Sequence, residues 1–120
     1  LLDWQCVWAG TVQLPSTLVR QVLINLVRNA ISAVDHGGRV ACAISIRADH
    51  LQLVVRNDGS HIESERMPYL FEPFVGRRDQ GHGLGLWTTY QIVKELGGDI
   101  SVFSEPGLTE FLVRLPFSKP

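Results

Sequence analysis

Three groups of residues stand apart from what a scaffold needs. Gln21, Asn25 and Asn29 recur every four residues inside an apolar run, so on a helix they form one stripe. Asn is a poor helix-interior residue, and two of them one turn apart cost helix propensity. Two uses fit the stripe: a polar face turned to water, or a pocket wall whose amide oxygens meet a hard cation. Mg2+ suits the second use, because it keeps several waters and takes further oxygens from phosphate. The second group, Gly81-His82-Gly83-Leu84-Gly85-Leu86, runs straight into a helical pattern. Alternate glycines let backbone N–H groups approach an anion, and a helix start adds the positive end of its dipole. A structural hinge would use similar residues. No strand pattern precedes these glycines and no G-x-x-x-x-G-K-[ST] run is present, which argues against the dinucleotide-binding and P-loop folds. The third group, Asn57-Asp58-Gly59, reads as a turn after a strand; its side-chain oxygens could also accept a hydrogen bond from a purine amino group.

The elements that must position these groups follow from periodicity. Leu2 to Trp8 reads as a short strand that Thr11 to Leu14 extend or return. Pro15 and Ser16 open a helix, Pro at an entry position and Ser as a cap for free amides. Apolar residues from Leu18 to Val34 recur at three and four, the helical period, and Gly37-Gly38 stops it. Val40, Cys42, Ile44 and Ile46 alternate with Ala41 and Ser45, and Leu51, Leu53 and Val55 repeat the pattern after Ala48-Asp49-His50, a hairpin. A short helix over Glu63 to Leu70, broken by Pro68, leads to a glycine-rich, polar segment from Phe74 to Gly83 that is expected to be mobile. A second long helix spans Gly85 to Leu96 and is closed by Gly97-Gly98. Two strands follow, Asp99 to Ser104 and Thr109 to Leu115, joined through Glu105-Pro106-Gly107. No repeat or linker interrupts the chain. The order predicts an α+β fold, with helices on one face of a mixed, mostly antiparallel sheet.

Composition narrows the function classes. The 120 residues suit one domain. With 45% hydrophobic and 19% charged residues, the chain is composed like a globular protein and not like a disordered one. Eleven Lys and Arg against 12 Asp and Glu leave a net charge of −1, so no broad basic face for nucleic acid is expected. No apolar run approaches the roughly 20 residues of a membrane span, and no membrane contact is expected. Cys6 and Cys42 lie in apolar strand patterns and read as reduced core thiols, which favours a cytosolic setting. Leu1-Leu2-Asp3 opens without Met and mid-pattern, as in a piece of a longer protein.

Taken together, the groups resemble the catalytic, ATP-binding domain of bacterial sensor histidine kinases, in the superfamily that also holds gyrase B, Hsp90 and MutL. The stretch Gln21-Val22-Leu23-Ile24-Asn25-Leu26-Val27-Arg28-Asn29-Ala30 matches the family's N box. Asn57-Asp58-Gly59-Ser60-His61-Ile62 stands in place of the G1 box, Leu70-Phe71-Glu72-Pro73-Phe74 looks like the F box, and Gly81 to Leu86 matches the G2 box. The tail from Gly97-Gly98-Asp99-Ile100 through Phe111 to Pro116 is similar to the closing strands. The resemblance covers nearly the whole chain with its boxes in order.

It implies a Bergerat α/β sandwich that binds Mg·ATP and transfers the γ-phosphate to a histidine on a separate dimerisation domain. A response regulator would act downstream, in a cytoplasmic setting. Asn29 would coordinate Mg2+, with Asn25 near the phosphates. Gly81, Gly83 and Gly85 would cradle the triphosphate, with Leu84 and Leu86 beside them. Phe71 and Phe74 would anchor a short lid from Val75 to Gln80, similar to that of nitrogen- and oxygen-sensing kinases, and Arg78, or its neighbour Arg77, would pair with phosphate. Asn57 would meet the adenine amino group and Thr109 would reach the adenine pocket, with Ala33, Gly59 and Ile62 as further nucleotide-binding residues. His36, His50, His61 and His82 do not match a phosphoacceptor pattern, so the chain alone is expected not to phosphorylate itself.

Two positions depart from the family's Asp-x-Gly-x-Gly. Asn57 stands for the Asp that accepts the adenine amino group; it keeps an amide oxygen but no charge. Asp58 is one residue along and points to the other face of a strand. His61 replaces the second Gly and adds a ring where a backbone approach is wanted. The family's Gly-x-Gly-Thr is shortened to Gly107-Leu108-Thr109. These departures support an alternative reading, a regulatory or scaffolding module with weak or no ATP binding.

Overall fold

A computed structural model describes residues 2–6 as backbone and residues 14–34, 37–59, 62–72 and 85–117 in full. The elements are β1 (Leu2–Cys6), α1 (Ser16–Ala33), β2 (Val40–Arg47), β3 (His50–Asn57), a 3-10 turn (Met67–Tyr69), α2 (Gly85–Glu95), β4 (Asp99–Glu105) and β5 (Leu108–Pro116). The five strands form one sheet in the order β1-β2-β3-β5-β4. β1 runs parallel to β2, and the other pairs are antiparallel. This is the α+β class and the mixed, mostly antiparallel sheet expected from the element order.

Both helices pack on one face. α1 buries Val22, Leu26 and Ala30, spaced by four, against Cys42, Leu53, Val55 and Phe111 of the sheet. α2 adds Ile92 and Val93 to the same core. The far face carries exposed or half-exposed ion pairs, Arg56 to Glu110 at 2.6 Å and Arg114 to Asp99 at 3.0 Å.

The local boundaries differ from the sequence reading in four places. Ser16 is the first helical residue and not the cap; Pro15 takes that position with φ −65° and no side-chain hydrogen bond. Its ring has no N–H to leave unsatisfied, and its carbonyl accepts the Val19 N–H at 3.0 Å. α1 stops at Ala33, with Val34 extended, before Gly37-Gly38 is reached. The helix expected over Glu63 to Leu70 is instead a series of i→i−3 turns from Glu63 to Glu72, because Pro68 cannot donate to the carbonyl an α-helix would offer it. Leu14 forms a bend and not strand, while Trp8 and residues 11–13 lie outside the described residues.

The end of α2 follows the sequence closely. Gly97 adopts φ +80° and donates to Lys94, and Gly98 donates to the Val93 carbonyl at 2.9 Å. This pair of bonds is a Schellman motif, which needs a left-handed residue where Gly97 stands. The turn sets the direction in which β4 leaves the helix.

Candidate functional site

The stripe on α1 forms as its spacing predicts and continues one turn further, through Ala33. Gln21 is exposed, whereas Asn25, Asn29 and Ala33 are half-buried. From Asn25 to Ala33 the helix rises about 12 Å. Each end of that line meets a different part of the fold.

At the Asn25 end stands the start of α2. Asn25 Nδ2 donates to the Gly85 carbonyl at 3.3 Å, and Gln21 Nε2 donates to Asn25 Oδ1 at 3.2 Å. Thr89, fully buried, donates its hydroxyl to the same Gly85 carbonyl at 2.9 Å. Two donors therefore pin the first turn of α2, whose own backbone N–H groups have no partner within the helix. A Cβ built on Gly85 would meet no atom of the described residues within 4 Å. Among the described residues nothing fills the space at this helix start, and its dipole favours an anion there. Leu86 packs against the core from the same turn.

At the Ala33 end stands a polar row on the helix-side face of the sheet. Asn57 and Thr109 are register partners on β3 and β5, 3% and 2% exposed. Thr109 Oγ1 and Ser104 Oγ share a hydrogen bond of 2.7 Å, and Ser104 Oγ accepts the Ile62 N–H at 2.8 Å. Asn57 Oδ1 accepts the Gly59 N–H at 2.9 Å, closing an Asx turn. Asp58 turns the other way, as the strand alternation requires: its Oδ1 accepts the Arg39 N–H at 2.8 Å and its N–H donates to the Arg39 carbonyl at 3.2 Å. A Cβ on Gly59 would collide with the Ala33 carbonyl, so this glycine lets the loop lie on the end of α1.

Asn29 lies between the two ends. Its carboxamide has no hydrogen-bond partner among the described residues. The described residues hold no cluster of three His, Cys, Asp or Glu fit for a metal, so a cation here would depend on amide oxygen. Phe71 stacks on Tyr90 at 5.4 Å and meets the edge of buried Phe111 at 6.3 Å, which fixes the chain just before residue 73. Phe74, Arg77, Arg78, Gly81, Gly83 and Leu84, and also His61 and His82, lie outside the described residues.

The structure thus brings Asn25, Gly85 and Leu86 together at one end and Ala33, Asn57, Gly59, Ile62 and Thr109 at the other, with Asn29 between them. Sequence reasoning missed Ser104 and Thr89. Both carried a signal: each is a polar residue in an inward position, Ser104 in register with Thr109 on β4, Thr89 on the buried side of α2.

A family model described as "Histidine kinase-, DNA gyrase B-, and HSP90-like ATPase" matches residues 15–119. Sporulation kinase E of Bacillus subtilis is 35% identical over 100 residues, 82% of this chain and 14% of that protein. The catalytic domain of histidine kinase ThkA superposes with a TM-score of 0.87 at 29% identity, covering 96% of this chain and 77% of that one. ThkA has also been solved in complex with response regulator protein TrrA. Full-length ShkA in complex with AMPPNP gives a TM-score of 0.87 at 25% identity, over 99% of this chain and 26% of that one. The chain spans less than a third of the length of the curated relatives it matches. With its boxes in order, its fold superposed and its family model matched over nearly its full length, the chain belongs to the histidine kinase-, DNA gyrase B- and HSP90-like ATPase family, and within it resembles the domain that sensor histidine kinases carry.

Proposed function

We propose that this domain binds Mg·ATP along α1 and presents the γ-phosphate to a histidine on a separate dimerisation domain, with a response regulator downstream. One observation carries the reading: a single helical line, Asn25–Asn29–Ala33, joins an open helix start to a buried polar row. The α2 N–H groups suit phosphate, with Gly81, Gly83, Leu84 and Arg78 adding to them. The row of Asn57, Thr109 and Ile62, above Ala33 and Gly59, suits a purine. Asn29 fits Mg2+, because its half-buried amide oxygen has no protein partner to give up among the described residues. The metal would neutralise phosphate charge. Phosphoryl transfer needs little covalent work from the protein and is mostly positioning and charge stabilisation.

The test is calorimetric titration of ATP with and without Mg2+, on the wild type and on Asn29→Ala. The wild type should bind more tightly with Mg2+, and the variant should lose that gain while keeping its metal-free affinity. An unchanged Mg2+ dependence in Asn29→Ala would remove Asn29 from the metal site.

A second reading, a regulatory module with weak or no ATP binding, is favoured by a specific contact. The Asn57 oxygen expected to accept the adenine amino group also accepts the Gly59 N–H, which leaves it one lone pair and no charge for a ligand. Absence of heat with ATP and with other purine triphosphates in the folded wild type would select this reading.

A further inference from the structure

Asn57 is the residue of the polar row whose chemistry is least settled by its neighbours. It is 3% exposed and ends β3 between Val40 and Thr109. Its side chain makes one hydrogen bond among the described residues, from the Gly59 N–H to Oδ1 at 2.9 Å. A backbone N–H can only donate, so the atom facing it must be the amide oxygen; the flipped amide would set two donors against each other. Nδ2 is then the other branch, aimed away from the turn, with no acceptor among the described residues. The hydroxyls of Ser104 and Thr109 bond to each other and to the Ile62 N–H, and neither bonds to Nδ2.

A carboxylate at this place would offer acceptors on both branches, one for the Gly59 N–H and one for a ligand. Asparagine keeps the first and turns the second into a donor. Purines differ at the 6-position in the matching way: adenine carries an amino donor and guanine or hypoxanthine a carbonyl acceptor. We propose that Asn57 is a specificity residue that reverses the reading of the purine 6-position, so that this pocket takes a 6-oxopurine nucleotide at least as well as ATP. The proposal rests on the nucleotide-binding reading above and deepens it.

The test uses three triphosphates that differ at the 6-position: ATP, inosine triphosphate and the unsubstituted purine riboside triphosphate. Each is titrated by calorimetry with Mg2+ into the wild type and into Asn57→Asp, after both melt cooperatively. The wild type should bind inosine triphosphate at least as tightly as ATP, with the unsubstituted purine weaker than inosine. Asn57→Asp should swing the inosine-to-ATP affinity ratio towards ATP by about tenfold or more, the scale of one matched against one mismatched base contact. If Asn57→Asp does not fold, the three-nucleotide order in the wild type decides alone. A wild type that prefers ATP tenfold over inosine triphosphate, or a ratio unmoved by Asn57→Asp, would overturn the proposal while leaving nucleotide binding intact. A folded wild type that binds none of the three would overturn the function reading itself, and this inference with it.

Discussion

Alanine substitutions at Gly85 and Gly59 should separate a glycine kept open for a ligand from one kept for packing. At Gly85 the added Cβ meets no atom of the described residues within 4 Å. The residue opens α2, where Ala exceeds Gly in helix propensity by up to about 1 kcal/mol. For 120 residues the unfolding entropy is roughly 250 cal/mol/K, so 1 kcal/mol moves Tm by about 4 °C. Gly85→Ala should therefore melt at the wild-type temperature or up to about 4 °C above it. Its affinity for ATP should fall about tenfold or more, since the methyl enters the space where phosphate would meet the helix N–H groups, and a lost charge-assisted bond costs about 1.5–3 kcal/mol. At Gly59 the Cβ runs into the backbone carbonyl of Ala33, where no flexible side chain can yield. Overpacking of that kind costs about 1–3 kcal/mol, or roughly 4–12 °C. Differential scanning calorimetry gives Tm and titration calorimetry gives the affinity, both on the same samples. A Gly85→Ala protein that binds ATP normally would show that the open space is not where phosphate sits. A Gly59→Ala protein with unchanged Tm would refute the packing role of Gly59.

Two further outcomes follow from the same contacts. Asn25→Ala removes a donor to the Gly85 carbonyl but leaves that of Thr89; it should cost about 0.5–1 kcal/mol and speed amide exchange in the first turn of α2, and unchanged exchange there would contradict the pinning role. Burial pushes the Cys42 thiol above its ordinary pKa, so the folded protein holds this proton to higher pH than the unfolded chain. The stability it contributes is full below about pH 8.5 and is lost as pH rises through the folded value. At pH 8, alkylation of Cys42 followed by peptide mapping should keep pace with global unfolding, and fast labelling of the native protein would contradict its burial.

Much of the fold is legible in the sequence because it depends on near neighbours. The four-residue stripe, the hairpin at Ala48-Asp49 and the Gly97-Gly98 stop each follow from residues within a few positions. The boundaries that escaped, at Ser16 and over Glu63 to Glu72, sit beside Pro15 and Pro68, where a missing N–H shifts the bonding by a residue or changes its type. Motif order also named the candidate site residues, and the fold gathers those that are described along one line of α1. Their use was not. That Gly59 serves the end of α1, that Ser104 completes the polar row, and that Asn25 grips α2 depend on partners 26 to 60 positions away in sequence: Gly59 with Ala33, Ile62 with Ser104 and Asn25 with Gly85. The clearest case is Asn57. Sequence alone established that an amide replaces a carboxylate and keeps one acceptor oxygen. Only the tertiary structure decided that this oxygen faces the Gly59 N–H, because a buried amide has two unlike ends and the fold chooses which one meets the turn.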